Sequence, residues 1–170
     1  MTSERVKGAL GRFYESKRAQ ELPKLKKKRK AGAPLTEEQI QGRTVNAMRR
    51  KPYGIFVFHT PLNAGGRASA IQASRYKRMG AIRGTPDLTL LTAPPGFKGV
   101  FWEIKRPKGR LTSEQEDFMK KAADLGWLCI CCKGLEANLN AVEIIYNDKS
   151  RTKESILQSL REAEGVHIIS

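Results

Sequence analysis

Two apolar segments joined by a tight turn constrain the fold of this chain more than any other feature. They are residues 88–91 (LTLL) and 100–105 (VFWEIK), separated by the turn residues 94–96 (PPG). Strands connected by so short a turn pair antiparallel. A capped helix beginning at Thr112 and another apolar run, 127–132 (WLCICC), come next. Because a helix between two strands allows them to run parallel, we predict a sheet with both antiparallel and parallel neighbours.

The other elements follow from helix caps, periodicity and turn residues. Thr36 and Gln39 form a capping box, which predicts a helix over 37–50. We also expect a strand at 55–59, a helix at 71–79, a small helix at 134–141 and a further strand at 142–146. The predicted order, α β α β β α β (β) α, indicates an α/β fold with a mixed central β-sheet flanked by helices.

Composition divides the chain into three parts. Residues 1–34 form a basic N-terminal arm, residues 35–148 hold the predicted domain, and residues 149–170 form a C-terminal tail with helical spacing. Five consecutive cations in the arm are expected to lie on nucleic acid: Lys26, Lys27, Lys28, Arg29 and Lys30. A solvated flexible tail and a nuclear-import signal are the alternative interpretations of this run.

The charge balance points to a polyanionic partner. The 170 residues include 32 Lys and Arg against 17 Asp and Glu, a net charge of +15. Nucleic acid is the expected partner, because each phosphate that the protein neutralises releases counterions. An anionic membrane surface is the alternative, although no apolar run is long enough to span a membrane. Without a secretory signal, we expect an intracellular, cytoplasmic protein.

Two acidic residues and one lysine carry the candidate chemistry. Asp87 opens the first strand of the predicted antiparallel pair, and Glu103 and Lys105 lie near the end of the second. Side chains two residues apart on a strand share a face, so Glu103 and Lys105 point the same way. One register places Asp87 opposite them. The structural alternatives are a turn residue at Asp87 and a solvated cross-strand pair at the other two.

Phosphodiester hydrolysis needs these residue types. Paired carboxylates bind a hard cation such as Mg²⁺ through oxygen, and the backbone carbonyl of Ile104 is a candidate further ligand. Such an ion polarises the phosphoryl group and lowers the pKa of bound water. A lysine orients that water or neutralises developing charge.

The same residues match a known pattern. GTPD followed by EIK resembles the P-D…(D/E)-x-K signature of the PD-(D/E)XK nuclease superfamily, which has a restriction-endonuclease-like core. The stretch 38–146 is similar to the VRR-NUC branch of that superfamily. The resemblance rests on EEQIQ, HTPLN, RMGAIRGTPDL, EIKRPKGRLTSEQ and the G-W strand that follows. The arm and the tail lie outside it.

This resemblance implies hydrolysis of DNA that depends on Mg²⁺ or Mn²⁺. Asp87 and Glu103 would be metal ligands, Lys105 the catalytic lysine and Gln115 the active-site glutamine. A helix acid would complete the site, either Glu38, which has the better offset to Gln41, or Glu37. The implied substrates are branched or Holliday-junction DNA, as in repair and recombination, and compact phage and bacterial members are the nearest match. A homodimer is expected, because symmetric cutting of two strands needs two sites. No small-molecule cofactor is expected.

Further cations are candidates for contacts with DNA phosphates, although solvated loops are the alternative. These cations are Arg67, Arg83, Arg106, Lys108 and Arg110. Two other functions remain open at this stage. One is a non-catalytic protein that binds or packages nucleic acid on a nuclease-like scaffold, and the other is a nuclease that recognises a sequence.

Overall fold

The computed structural model describes residues 34–51, 55–59, 70–147 and 152–170. The helices in these ranges are α1 (Glu37–Arg49), α2 (Ala70–Arg78), α3 (Ser113–Asp124), α4 (Gly134–Tyr146) and α5 (Lys153–Glu162). The strands are β1 (Val57–His59), β2 (Leu88–Leu90), β3 (Val100–Lys105), β4 (Leu128–Lys133) and β5 (Val166–Ile169). Residues Leu35–Ser170 belong to one compact unit. Residues 1–33 of the predicted arm, 1–34, lie outside the described residues.

The strands of the described part form one mixed sheet in the order β1-β2-β3-β4-β5. Strands β1, β2 and β3 pair antiparallel, β3 and β4 pair parallel, and β4 and β5 pair antiparallel. Helix α3 forms the crossover between the two parallel strands. The hairpin and the crossover predicted from the sequence are therefore confirmed.

Each face of the sheet carries its own apolar layer, and β3 contributes to both. Val100, Trp102 and Ile104 belong to the larger core, which also contains buried residues of α1, α4 and α5. Phe101 points to the opposite face, where a smaller core lies beneath α3. Because side chains alternate along a strand, Glu103 and Lys105 share the face of Phe101. The candidate catalytic groups therefore lie on the α3 face, beyond the edge of its smaller core.

One prediction for the C-terminal third is wrong, whereas the predicted tail helix is confirmed as α5. Residues 142–146 continue α4 instead of forming a strand, because Ala137, Ala141, Val142 and Ile145 form one buried stripe at helical spacing. The outer strand is β5, which lies in the predicted helical tail beyond α5. The tail thus contributes both a helix and a sheet strand.

The three cysteines are buried and free in β4. Burial raises the pKa of Cys129 to about 12 and that of Cys131 to about 11. These thiols stay protonated at neutral pH, as expected for packing residues. In the described ranges, no helix has the length and apolar character to cross a membrane.

Candidate active site

The register of the β2–β3 hairpin brings the two carboxylates together. Leu88 pairs with Trp102, so the preceding residue, Asp87, lies opposite Glu103. The backbone N–H of Asp87 donates to Glu103 Oε2 at 3.3 Å. In return, the backbone N–H of Ile104 donates to Asp87 Oδ2 at 3.0 Å. These reciprocal bonds fix both carboxylates at the end of the hairpin, as the sequence predicts.

Glu103 is a buried carboxylate held by two side-chain donors. Its relative exposure is 1%, and Oε1 lies 2.6 Å from Lys105 Nζ. The same oxygen accepts a hydrogen bond from Gln115 Nε2 at 2.5 Å. Burial, and then repulsion from Asp87, raise the pKa of Glu103 from 4.5 to about 7, even though Lys105 acts in the opposite direction. The protein therefore holds a negative charge here at an energetic cost.

The ammonium group of Lys105 is under the influence of three carboxylates, those of Glu103, Glu37 and Asp87. Its side chain is 13% exposed, and burial by itself would lower the pKa of its ammonium group. The hydrogen bond and the charge of Glu103, with smaller contributions from Glu37 and Asp87, nevertheless raise that pKa above 10.5. The lysine is consequently a cation at neutral pH, able to neutralise negative charge.

Gln115 has two roles at the start of α3. Its Oε1 accepts from the backbone N–H of Thr112 at 3.0 Å, while the Thr112 hydroxyl accepts from the backbone N–H of Gln115. These bonds form the predicted capping box. The other end of the same amide donates to Glu103. Gln115 thus ties the helix start to the buried Glu103 carboxylate.

The loop before Asp87 packs directly against this helix start. Gly84 has φ +80, and a Cβ at this position would lie 2.0 Å from the Glu114 backbone oxygen. Only glycine allows that approach without displacing the backbone. The next residue, Thr85, donates its hydroxyl to the backbone oxygen of Ile82 at 2.7 Å. The GTPD loop is therefore held between β2 and α3.

Of the two candidate helix acids, Glu37 is the one near the site. Its Oε1 accepts from the backbone N–H of Arg106 at 3.3 Å, and its charge acts on Lys105. Glu38 is exposed, and no contact to Asp87, Glu103, Lys105 or Gln115 is present for it among the described residues. Glu37 is exposed as well, and which of the two acids completes the site stays a prediction. The rotation of α1 about its axis sets their relative positions, and the sequence does not contain that rotation.

The structure also places one residue beside the site that the sequence had assigned only to a buried strand. Cys131 pairs in register with Glu103 across the parallel strands, so both lie on one face. The charge of Glu103 contributes to the raised pKa of Cys131. Strand parity combined with the parallel crossover was the signal that could have revealed this neighbour.

The candidate DNA-binding cations fall into two groups. Four of them are exposed, on the GTPD loop or on the loop after Lys105: Arg83, Arg106, Lys108 and Arg110. Arg67 and the five cations of the arm lie outside the described residues.

The donor set fits a hard divalent cation with few protein ligands. Within the described ranges, no group of three or more His, Cys, Asp and Glu could hold a metal ion. The site instead offers two carboxylates, and Mg²⁺ is commonly held by one or two carboxylates with water and substrate phosphate. The raised pKa of Glu103 supports this fit, since a nearby cation would offset the repulsion between the two acids.

Comparison with known proteins relates the fold to a solved structure. No protein-family model and no curated protein matches the sequence. A solved VRR_NUC domain protein has the same fold, with a TM-score of 0.58 and 24% identity. The match covers 69% of this chain and 96% of that protein. The mixed-sheet architecture implied by the sequence resemblance is thereby confirmed.

Proposed function

We propose that this protein is a metal-dependent nuclease of the VRR-NUC type that hydrolyses phosphodiester bonds in DNA. The observation that carries the proposal is the buried Glu103, which faces Asp87 and accepts bonds from Lys105 and Gln115 at one point. A structural role alone gives no reason to place two carboxylates together, because burying unbalanced charge costs free energy.

Asp87, Glu103 and the backbone carbonyl of Ile104 would hold the ion, Mg²⁺ or Mn²⁺. When bound, the ion supplies electrophilic activation of the phosphoryl group and a lower pKa for a water molecule. The backbone N–H of Asp87 donates to Glu103 and that of Ile104 donates to Asp87, and these two bonds preorganise the ligands. Such preorganisation reduces the reorganisation needed when the reaction occurs.

Lys105 and Gln115 act on charge and orientation. Because Lys105 keeps its proton, it would stabilise the negative charge that develops on the phosphoryl oxygens, or orient the attacking water through a hydrogen bond. Gln115 donates a hydrogen bond to one oxygen of Glu103 and so holds the Glu103 side chain in one rotamer. Glu37 is the candidate third acid beside this pair.

Exposed cations beside the site support DNA as the substrate. Arg83, Arg106, Lys108 and Arg110 would contact backbone phosphates, which position nucleic acid without reading its sequence. A preference for branched or junction DNA, and a homodimer that cuts two strands, are further parts of the proposal.

Cleavage by wild type and Lys105→Ala tests the function. The substrates are a linear duplex, a single strand, a flap and a four-way junction, each with Mg²⁺, Mn²⁺ or EDTA. Wild type should cut only when Mg²⁺ or Mn²⁺ is present and not in EDTA. The cleavage rate of Lys105→Ala should be lower by about a hundredfold or more. Lys120→Ala is the matched variant, because Lys120 is 51% exposed and lies on α3. Tight binding without cutting under any metal would instead support the non-catalytic nucleic-acid binder.

A further inference from the structure

An aromatic groove lies beside the catalytic carboxylates, on the face of the sheet that α3 covers. Its volume is about 580 Å³, within the range of small-ligand sites. Phe101, Phe118 and Trp127 contribute to its lining. The Phe101 ring centroid lies 5.2 Å from that of Phe118 and 4.5 Å from that of Trp127. The three rings pack on the smaller core and on one another but are only partly buried, so part of their surface contributes to the groove.

Residues that line the groove adjoin the candidate active site along β3 and α3. Phe101 lies two residues before Glu103 on the same face of β3, a separation of about 7 Å along a strand. Glu114 lines the groove, and the next residue along α3 is Gln115, which holds Glu103. A ligand in the groove would therefore lie next to the group being cleaved.

The rim combines apolar and charged groups. Ile82 and Leu125 line the groove while remaining 61% and 63% exposed. The charged lining residues comprise two cations, Arg83 and Lys121, and two acids, Glu114 and Asp117. Carboxylates accept hydrogen bonds from exocyclic amino groups of bases, and cations contact phosphates. A nucleotide has both kinds of group at the edge of a flat ring.

We propose that this groove holds one unpaired nucleobase of the DNA substrate, stacked on the aromatic residues beside the scissile phosphate. The proposal rests on the proposed nuclease function and gives it a source of structure selectivity. Bases of an intact duplex are paired and stacked, so extracting one costs a few kcal/mol. Bases at a bulge, flap or junction are already free to enter. The groove would then favour branched or interrupted DNA without reading a sequence.

Tryptophan fluorescence offers a direct readout. The chain has two tryptophans. Trp102 is fully buried and donates its indole N–H to Asn138, whereas Trp127 lines the groove. A base that stacks in the groove should therefore change the emission of Trp127 alone. Trp127→Phe keeps an aromatic ring in the smaller core and should abolish the change.

The binding experiment uses full-length Lys105→Ala protein, so that the DNA stays intact. The ligands are a duplex with a one-nucleotide bulge, the same duplex with an abasic residue at the bulge, and the fully paired duplex. We expect quenching by the bulged duplex alone. Loss of the base should weaken binding by about tenfold, because the stacking of the base on an aromatic side chain is lost.

A matched pair of surface variants tests the rim. Leu125→Ser removes an exposed side chain that lines the groove, whereas Met79→Ser removes one that is 71% exposed and is not part of the lining. Both should fold, because neither side chain is buried. Leu125→Ser should bind the bulged duplex about threefold more weakly and the paired duplex unchanged. Met79→Ser should match the parent protein with every ligand.

Each other outcome has a defined meaning. Equal binding and quenching by the bulged and abasic duplexes would overturn the proposal. So would an effect of Leu125→Ser on self-association alone, which would assign the groove to a second copy of the chain. Metal-dependent cleavage by wild type without any base effect would leave the nuclease function intact and reject the nucleobase site. Base-dependent quenching without cleavage by wild type would support the nucleobase site and reject the nuclease function.

Discussion

At the scale of single residues, Gln115 makes two hydrogen bonds with different requirements, one for an acceptor and one for a donor. The capping box needs an acceptor at this position, which Glu supplies as well as Gln. The bond to Glu103 needs a donor, which only the amide supplies. Glutamine meets both requirements, and the sequence predicted both roles because Thr112 and Gln115 have capping-box spacing and the family pattern marks the same residue.

Replacing Gln115 with Glu should separate these roles. The helix start is kept, but a second carboxylate then lies against Glu103, so we expect cleavage to fall by about tenfold or more. Gln39→Glu is the matched variant, because Gln39 completes the same capping box at Thr36 on α1. That change should leave cleavage rates within about twofold. Equal activity of Gln115→Glu and wild type would show that the amide has no role in the site.

The raised pKa of Glu103 predicts how stability depends on pH. An acid whose pKa rises from 4.5 to about 7 on folding favours the folded state when protonated, so wild type loses stability as pH rises through this window. Glu103→Gln does not ionise, so the difference in free energy of unfolding between the variant and wild type should shift in favour of the variant by up to about 3 kcal/mol as pH rises through this window.

Thermal unfolding of both proteins in EDTA, from pH 5 to pH 8, measures this difference. The gap in Tm should widen in favour of Glu103→Gln as pH increases. Mg²⁺ at pH 8 should raise the Tm of wild type more than that of the variant, because a ligand of the folded state stabilises it. A Tm difference that stays constant across the pH range would contradict the raised pKa of Glu103.

At the scale of elements, a buried polar network fixes α4 to the sheet behind the site. Asn138 Oδ1 accepts from Trp102 Nε1 at 2.8 Å, and Asn138 Nδ2 donates to the Gly134 backbone oxygen at 2.6 Å. Trp102 is flanked on β3 by Phe101 and Glu103, one belonging to the groove and the other to the site. Its position therefore influences both.

Removing this network should be costly. Asn138→Ala leaves the buried indole N–H without its acceptor, and we expect a loss of about 3 kcal/mol in the free energy of unfolding. Asn140→Ala is the comparison, because Asn140 is exposed on the same helix. Urea denaturation should place the two variants clearly apart. A loss below about 0.5 kcal/mol for Asn138→Ala would show that water replaces the amide.

The sequence was informative where spacing decides structure. The Pro-Pro-Gly turn within residues 91–99 indicated the β2–β3 hairpin, and strand parity then placed Asp87, Glu103 and Lys105 together. It was misleading at 142–146 (VEIIY), where β-branched residues favour a strand but the buried stripe of α4 continues. It also missed β5, a strand of four residues whose pairing with β4 depends on a non-local contact.

At the scale of the whole molecule, the C-terminal segment is part of the main core. Ile156 and Leu160 of α5 are fully buried, and Val166 of β5 is 7% exposed. All three belong to the cluster that contains Trp102 and Ile104. The segment outside the family resemblance therefore supports the sheet that carries the site.

Leu160→Ala should accordingly destabilise the whole fold. We expect a loss of about 2–5 kcal/mol, from lost burial and the cavity left behind. Gln158→Ala changes an exposed residue two positions earlier and should stay within about 0.5 kcal/mol of wild type. Denaturant unfolding monitored by far-UV circular dichroism compares them. Equal stability of the two variants would mean that α5 folds independently of the core.

The hairpin that brings Asp87 opposite Glu103 also makes the candidate site local in sequence. Both acids and the lysine lie within residues 87–105, so one hairpin sets the spacing of all three groups. Exposed segments remote from this hairpin should therefore tolerate changes in length or sequence, provided that the start of α3, which supplies Gln115, is kept.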